Sequence, residues 1–289
     1  MTVGHLETRP ATAETGLTAA QKVCAVLRAL AARSPATLRD VSEVTRLNKV
    51  TAFRILGTLA GEGFVRRPAG SRLYELGPEI AVLATALGRG MDLRAASRPA
   101  LLKLAAQSGD TAVLSIRAGS EAVCVDRQTG DFPIQSNYLY PGTRRPLGVG
   151  AGATAILAAL PRTEGDVLVD LLAPKLGPYP RLSLAVVRGH VQQARRSDHA
   201  IVLNQIVDRM GGIAVAIRTT DRDVLGAFSI VALSERIEQR VQPLAQWLHE
   251  AARDTERLIA ATPVSSSRPT PQPGVGRAAS GKSLGEMSA

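Results

Sequence analysis

The stretch ATLRDVSEVTRLNKVTAFRILGTLAGEGFVRRPAGSRLYEL, residues Ala36 to Leu76, decides the fold of the N-terminal part of this chain. Thr37 is placed to cap a short helix from Leu38 to Val44, and Asn48 is placed to cap a second helix that extends to Glu62. Two short alternating segments follow, joined by a turn rich in Pro, Gly and Ser, which is the pattern of a hairpin. A helix, a tight turn, a second helix and a hairpin in this order predict a winged helix-turn-helix.

The helix that begins at Lys49 has two faces of different character. Its apolar positions repeat at i, i+3, i+4 and i+7 from Ala52 to Leu59, so this side must face the core. The other side presents only positive charge and small, apolar or hydroxylated side chains before Glu62. Such a face suits the major groove of DNA, where Lys and Arg reach phosphates or guanine and Phe can contact a thymine methyl. The residues expected to contact DNA are Arg39, Asn48, Lys49, Val50, Thr51, Phe53, Arg54, Thr58, Arg66, Arg67 and Arg72.

The charge of the chain agrees with this interpretation. Between Arg39 and Arg72 there are seven basic and three acidic residues, and three of the basic residues are arginines of the short hairpin, placed for phosphates or a minor groove. The whole chain has 35 Lys plus Arg against 25 Asp plus Glu, a formal net charge of +10. Such a chain is attracted to polyanions, and to nucleic acid first. The alternative is a small helical domain used only for protein contacts.

Both ends of the chain, residues 1–16 and 262–289, lack hydrophobic periodicity, and the second is rich in Pro, Ser and Gly, so both are expected to be unstructured. Cys24 and Cys124 lie in separate apolar runs, which favours buried thiols in a reducing compartment over a disulfide. No apolar run resembles a signal peptide or has the length needed to cross a bilayer. We therefore expect a cytoplasmic protein without membrane contact.

The second half of the chain has the pattern of an antiparallel sheet covered by helices, so the predicted fold class is α+β. Strands are expected at Thr111–Arg117, Glu121–Gln128, Gly212–Thr219 and Val224–Leu233. Helices are expected at Thr18–Ala31, Glu79–Gly88, Pro99–Gly109, Gly152–Leu160, Gly165–Leu172, Leu184–Arg196 and Glu235–Ile259. Pro243 is expected to kink the last helix or to mark its true start.

The glycine-rich segment from Gly148 to Ala153 invites a dinucleotide-binding interpretation, but it lacks a preceding buried strand and an acidic partner at the expected distance. We prefer a helix start whose backbone N–H groups face a cavity and bind an anion. The four histidines are not spaced as metal ligands, and no catalytic motif stands above chance, so we expect no metal, no cofactor and no enzyme. The rival class, an enzyme or metabolite-binding module without specific DNA recognition, would leave the positive helix face unexplained.

Several segments together resemble the IclR family of bacterial transcriptional regulators. The resemblance rests on LRDVSEVTRLNKVTAFRILGTLAGEGFV, YELGPEIAVLATAL, GDTAVLSIRAGSEAVCVDRQ, PGTRRPLGVGAGATAILAALP and GGIAVAIRTTDRDVLGAFSIVAL. It implies a winged helix-turn-helix joined by a linker helix to a GAF-like α/β domain that senses a small effector, assembled as dimers or tetramers on double-stranded operator DNA. The implied bounds are 17–78 for the DNA-binding domain, 79–95 for the linker helix and 96–261 for the effector-binding and oligomerisation domain.

The DNA-binding motif departs from the family pattern at two positions. The turn between the two helices often carries Gly where this chain has Arg46, so the turn must avoid a positive φ or tolerate it at some cost. The usual Ser-Thr pair at the start of the recognition helix is Val50-Thr51 here, which removes one hydroxyl. Both changes suggest an altered operator.

The resemblance also implies positions for the effector site. Family members that sense small acids use a small-residue loop, which falls at Ala151 and Gly152 here. Their acidic position falls at Val202 or Leu203, their small or Cys position at Gly212, and their Ser pair at Ser229 and Val231. Only Ser229 keeps its polar character, which favours a ligand larger and less polar than a small carboxylic acid. The alternative is a domain that senses nothing and mainly dimerises.

Overall fold

The computed structural model describes residues 16–86, 89–221 and 223–261. The helices are α1 Ala19–Ala32, α2 Leu38–Thr45, α3 Lys49–Gly61, α4 Pro78–Ala86, α5 Arg89–Ser108, α6 Ala151–Ala159, α7 Arg162–Asp170, α8 Leu184–Ser197, α9 Ser234–Glu238 and α10 Val241–Ala261. The strands are β1 Ala36–Thr37, β2 Val65–Arg66, β3 Leu73–Leu76, β4 Thr111–Ala118, β5 Glu121–Gln128, β6 Arg144–Pro146, β7 Ala200–Leu203, β8 Met210–Arg218 and β9 Val224–Leu233. Apart from Gly16, the ends expected to be unstructured lie outside the described residues.

The N-terminal domain is the predicted winged helix-turn-helix. Helices α1, α2 and α3 pack on a small antiparallel sheet of order β1-β3-β2, and Leu30 and Leu56 at the centre of their core are fully buried. Burying a leucine side chain contributes about 1.5–3 kcal/mol, so these contacts fix the angle between the helices. The predicted caps are formed, since Thr37 makes a capping box with Asp40 on α2 and the Asn48 side chain accepts from the Thr51 N–H on α3.

The structure decides between the two alternatives for the turn at Arg46, and three further details of this domain differ from the expectations. The turn after α2 tolerates the unfavourable geometry, because Arg46 adopts the left-handed conformation with φ of 56°. Helix α1 begins at Ala19 because Thr18 is its N-cap, and α3 ends at Gly61, one residue before the predicted end. Cys24 is exposed, against the expectation of a buried thiol, whereas Cys124 is buried.

Of the two helices that follow the wing, α4 begins within one residue of its predicted start, whereas α5 begins ten residues before its predicted start. Helix α4 covers most of the predicted linker helix, and residues 87–88 lie outside the described part. Helix α5 begins at Arg89, not at Pro99, and Pro99 lies inside it. The predicted single linker helix 79–95 is thus represented by α4 and the first residues of α5.

The second domain is an antiparallel sheet of order β6-β5-β4-β9-β8-β7 between two helical layers. Side chains of β8 alternate: Ile213, Val215 and Ile217 pack in one core with α5 and α10, whereas Ala214 packs in the other core with α6 and α8. Because successive residues of a strand point to opposite faces, Gly212 shares the α6 face with Ala214. The sheet therefore separates a core of large side chains from a layer in which small residues face α6.

Two strands and one helix boundary in this domain were not predicted. Strands β6 and β7 are short, and β7 pairs with β8 through four residues from Ala200 to Leu203. The predicted last helix Glu235–Ile259 is two helices, α9 and α10, and Pro243 lies in the first turn of α10, where a missing N–H does no harm.

A buried ion cluster fastens the start of β4 to the C-terminal helices. Asp110 has a side chain that is 1% exposed, and it accepts hydrogen bonds from the Nε of Arg236 at 3.0 Å and from the Nη2 of Arg240. The same two guanidinium groups donate to the carbonyl of Ser108. The cluster ties α5, β4, α9 and α10 together, so its charges act as a structural unit.

Among the described helices, none is long and apolar enough to span a membrane.

Candidate DNA-binding surface and effector cavity

The outward face of α3 is exposed as its sequence predicts. Val50 is 71% exposed and Phe53 is 55% exposed, and Lys49, Arg54 and Thr58 lie with them on the solvent side. Exposed large apolar side chains on a helix that has buried its opposite stripe are available to a partner. In the residues that the structure describes, neither Lys49 nor Arg54 makes an ion pair, so both cations are free for phosphate or base contacts.

Some of the predicted DNA-contacting side chains already have partners within the domain. The Oδ1 of Asn48 caps α3, and the hydroxyl of Thr58 donates to the carbonyl of Arg54 at 3.1 Å. Thr51 is half-buried. Arg39 pairs with Glu43 at 2.7 Å, and this hydrogen bond raises the pKa of Arg39. These residues therefore have less freedom to reach DNA than Lys49 and Arg54.

The wing presents its arginines in three different states. Arg66 pairs with Glu75 across the β2–β3 hairpin at 2.6 Å. Arg67 lies over the ring of Tyr74 at 5.5 Å and donates to the carbonyl of Ser71. Arg72 is exposed and has no ion pair in the described part of the chain. The wing thus carries positive charge at its tip, and its two strands hold that charge in fixed positions.

The second domain contains a partly open cavity of about 50 Å³ between the start of α6 and the strands β4, β7, β8 and β9. All six positions implied for the effector site line it, whereas Leu203, the alternative to Val202, does not. The six are Ala151, Gly152, Val202, Gly212, Ser229 and Val231.

The register of the sheet explains why these positions meet. Val202 pairs with Gly212, and Gly212 pairs with Val231, so the three form one line across β7, β8 and β9. A Cβ built on Gly212 would lie 3.1 Å from the Cβ of Ala151, which shows how closely α6 approaches this line. A Cβ on Gly152 would lie 3.5 Å from the Ser229 hydroxyl and 3.6 Å from the Ser115 hydroxyl. Small residues at 152 and 212 therefore keep the cavity open.

Polar side chains that the sequence interpretation did not include also line the cavity. They are Ser115, Cys124, Tyr138, Thr143, Arg145 and Gln205. The guanidinium of Arg145 lies over the ring of Tyr138 at 5.1 Å, and the Oε1 of Gln205 is buried without a hydrogen-bond partner. The sequence interpretation gave Arg145 no role. Within the short strand β6, Arg144 pairs with Glu121, and the adjacent Arg145 points to the other face of the sheet.

The chemistry of the cavity is that of a binding site with one strong cation. Burial lowers the pKa of Arg145, although positive charge is retained far above neutral pH, since an arginine cannot be deprotonated in a protein. Burial raises the pKa of the Cys124 thiol to about 12, and it raises the pKa of the Tyr138 hydroxyl. Both groups are therefore neutral at physiological pH. In the described residues no group of His, Cys, Asp and Glu side chains could hold a metal ion.

An exposed helix-turn-helix face with a basic wing, followed by an α/β domain with a cavity, is the architecture of a DNA-binding regulator. The model of the IclR helix-turn-helix domain matches residues 19–69, and the model of the bacterial transcriptional regulator IclR C-terminal domain matches residues 85–257. The chain belongs to the IclR family, whose members are transcriptional regulators with an N-terminal helix-turn-helix for DNA binding and a C-terminal effector-binding domain.

The chain aligns with individual members of the family along nearly the whole length of those proteins. The chain is 26% identical to the HTH-type transcriptional regulator KipR of Bacillus subtilis over 83% of this chain and 96% of KipR. It is 25% identical to the HTH-type transcriptional repressor AllR of Klebsiella pneumoniae over 87% of this chain and 93% of AllR. The crystal structure of an IclR homologue from Microbacterium hydrocarbonoxydans, in complex with 4-hydroxybenzoate, has the same fold, with a TM-score of 0.66 and 20% identity over 85% of this chain and 100% of that one.

Proposed function

We propose that the exposed face of α3 enters the major groove of an operator and that the wing lies on the flanking backbone. The observation that carries this proposal is that α3 buries Ala52, Leu56 and Leu59 on one side and exposes an apolar and cationic face on the other. Lys49 and Arg54, which have no acidic partner in the described residues, are assigned the strongest contacts. Val50 and Phe53 are assigned apolar contacts to thymine methyl groups.

The remaining predicted residues receive supporting roles. Asn48 and Thr58 stabilise α3, and Thr51 lies at its start, close to the backbone of the DNA. Arg39, Arg66, Arg67 and Arg72 supply sequence-independent attraction to phosphates, which fixes the register without reading bases. Because Arg46 and Val50 replace the usual residues, we propose an operator that differs from those of other family members.

We propose that the cavity of the second domain binds a small effector that changes the affinity for the operator. The support is the match between the residues implied by the resemblance and the lining of one cavity. We also propose a GAF-like effector domain bounded by 96–261, a DNA-binding domain at 17–78, a symmetric dimer or tetramer, and action in the cytoplasm without catalysis. Two heads of a dimer separated by about 34 Å would meet successive major grooves, so a small rotation changes their fit.

The direct test measures binding of the purified chain to fluorescent duplexes from the upstream region of its own gene, with shuffled duplexes of equal composition as a reference. Rising salt should abolish binding to shuffled DNA before binding to the operator. Arg54→Ala should weaken operator binding about 5- to 150-fold, which corresponds to the loss of about 1–3 kcal/mol from a base or phosphate contact. The matched control Arg253→Ala removes an exposed arginine of α10 and should bind like the wild type.

Two outcomes would contradict this assignment. Equal loss of operator and shuffled DNA with rising salt would remove the claim of specific recognition. Unchanged affinity of Arg54→Ala, with normal folding by circular dichroism, would remove α3 as the recognition helix. Either result would leave the effector cavity to be tested separately, because ligand binding is measured without DNA.

A further inference from the structure

Arg46, in the turn between α2 and α3, has a backbone conformation that is unfavourable for an arginine. Its φ is 56° and its ψ is 22°, which is the left-handed region that residues other than Gly rarely adopt. Glycine adopts this conformation without the clash that a Cβ atom causes. The turn could therefore form more easily without a side chain at this position, and the presence of the arginine side chain needs an explanation.

The other non-glycine residues with positive φ in the described part of the chain each use their side chain in a contact within the chain. The contacts are those of Asp198 with Arg218 at 3.6 Å, of Arg209 with Glu235 at 3.7 Å, and of Asn204 with the hydroxyl of Ser234 at 2.8 Å. Arg46, by contrast, is exposed, and its guanidinium forms no ion pair or hydrogen bond with the described residues. Strained residues cluster at functional sites. The side chain of Arg46 therefore indicates a partner outside the chain.

Hydrogen bonds on both sides of Arg46 hold the turn in this conformation. The hydroxyl of Ser42 donates to the carbonyl of Leu47 at 2.6 Å, and the side chain of Leu47 is buried in the core of the first domain. The hydroxyl of Thr45 donates to the carbonyl of Val41 at 2.6 Å and accepts from the N–H of Leu47 at 3.4 Å. The backbone at Arg46 is thus fixed before DNA binds, which lowers the entropy cost of a contact made there.

The position of Arg46 places its charge beside the proposed recognition helix. It lies three residues before Lys49, the first residue of α3, and neither of these cations nor Arg54 has an acidic partner in the part of the chain that the structure describes. Glu43, the nearest acidic residue along the sequence, is paired with Arg39 at 2.7 Å. When a recognition helix lies in the major groove, the helix before it crosses the DNA backbone, so the turn that joins them lies close to phosphates.

We propose that Arg46 contacts a phosphate of the DNA backbone and thereby helps to fix the position of α3 in the major groove. This inference rests on the proposed DNA binding by α3 and adds a contact residue that the sequence interpretation did not include. A phosphate contact reads no base, so it strengthens binding to all DNA sequences alike. Arg46 thus lowers the stability of the first domain and raises its affinity for DNA.

The experiment uses the full chain and measures its affinity for operator and shuffled duplexes by fluorescence anisotropy between about 50 and about 200 mM salt. Arg46→Gly should weaken binding to both duplexes by the same factor, about 3- to 10-fold. The slope of log affinity against log salt should fall by about 0.9 for each DNA-binding head that is bound. For one head, this change reduces the advantage of the wild type by about 3.5-fold across the salt range.

Two further variants separate the charge of Arg46 from its backbone conformation. Arg46→Gln keeps the unfavourable φ and removes the charge, so it should show the same loss of affinity and slope as Arg46→Gly. Arg46→Lys keeps the charge, so it should restore the slope. A cation at the end of α2 also interacts favourably with the helix dipole, but that role would leave the salt dependence of DNA binding unchanged.

Arg209→Gly is the matched control, because Arg209 has nearly the same φ, 59°, and lies in the second domain immediately before β8. Its pair with Glu235 is between side chains that are 74% and 72% exposed, so losing this pair should have little effect. Both glycine variants remove an unfavourable φ, but Arg209→Gly should bind DNA like the wild type. In urea, Arg46→Gly should unfold at the same concentration as the wild type or at a higher one.

Several results would overturn the inference. They are an unchanged salt slope in Arg46→Gly or Arg46→Gln, a failure of Arg46→Lys to restore the slope, and a loss of affinity confined to the operator, which would indicate base reading. An equal loss of slope in Arg209→Gly would also overturn it. Unfolding of Arg46→Gly at a lower urea concentration than the wild type would give the side chain a structural role and would have the same consequence.

The outcomes separate this inference from the function on which it rests. If Arg54→Ala loses the preference for the operator while Arg46→Gly binds like the wild type, recognition by α3 stands and the phosphate contact of the turn fails. If Arg46→Gly loses slope while Arg54→Ala keeps its affinity, the contact of the turn stands and the assignment of α3 fails.

Discussion

Replacing Asp110 with Asn should destabilise the second domain more than any exposed ion pair does. The side chain of Asp110 is 1% exposed, and its two oxygens accept from Arg236 at 3.0 and 3.2 Å and also from Arg240. An amide of the same shape keeps one acceptor oxygen, but it leaves two guanidinium groups without a counter-ion. It also directs an NH₂ group at a cation.

The magnitude follows from the burial of the partners. Removing one member of a buried ion pair usually costs about 3–5 kcal/mol, because the remaining charge is left uncompensated. The side chains of Arg236 and Arg240 are 26% and 27% exposed, so water screens part of that charge. Both guanidinium groups also keep the carbonyl of Ser108 as an acceptor. We therefore expect Asp110→Asn to lower the free energy of unfolding by about 2–4 kcal/mol.

Urea unfolding, monitored by the fluorescence of Trp247, measures this loss of stability in the second domain. Trp247 is the single tryptophan of the chain and lies on α10, against the core that contains α5 and the sheet. Asp254→Asn is the matched control, because it breaks the exposed ion pair between Asp254 and Arg257. The side chains of Asp254 and Arg257 are 53% and 74% exposed, so this substitution should cost less than about 1 kcal/mol. A loss below about 1 kcal/mol in Asp110→Asn, or a loss equal to that of the control, would refute the claim that this cluster fastens the domain.

Three further changes test other parts of the molecule. Replacing both Arg66 and Arg67 with Ala should lower affinity for all DNA sequences and reduce the salt slope by about 0.9 for each phosphate that is no longer neutralised, and an unchanged slope in anisotropy titrations would exclude wing–phosphate contacts. Gly152→Trp should abolish the response to effector and keep operator binding, because its side chain would start 3.5 Å from the Ser229 hydroxyl, and a wild-type response would place the ligand elsewhere. Arg46→Gly should stabilise the first domain by about 0.5–1 kcal/mol, since φ is 56° there, and urea unfolding followed by circular dichroism would disprove this if stability fell.

The first domain could be predicted closely because its signals are local. Thr37 and Asn48 are cap residues next to apolar repeats, and each cap hydrogen bond spans only three residues. In the second domain, the eight-residue strand β5 was also visible as alternation. The predicted start of helix α5 was too late, because proline is common in the first turn of a helix and Pro99 therefore indicates a start there. The helix begins ten residues earlier, at Arg89.

The remaining parts depend on contacts between distant segments. Strand β7 has four residues, and its position is set by pairing with β8, which no local pattern records. Arg145 is similar, because its direction depends on the pairing of β6 with β5 and on the ion pair that holds the adjacent Arg144. Family resemblance located the small residues of the cavity, but it did not include the cation beside them.

Arginines without an acidic partner in the described residues lie in two different environments, the exposed surface of the first domain and the cavity of the second. Arg54 and Arg72 are exposed to water on the first domain, where a single contact is weak, and affinity for a polyanion comes from many contacts and the release of its counter-ions. Arg145 lies in the cavity beside the start of α6, where salt screens a charge less than at the surface. Added salt should therefore weaken the attraction of a polyanion to Arg54 and Arg72 steeply, and weaken an anion contact at Arg145 only slightly.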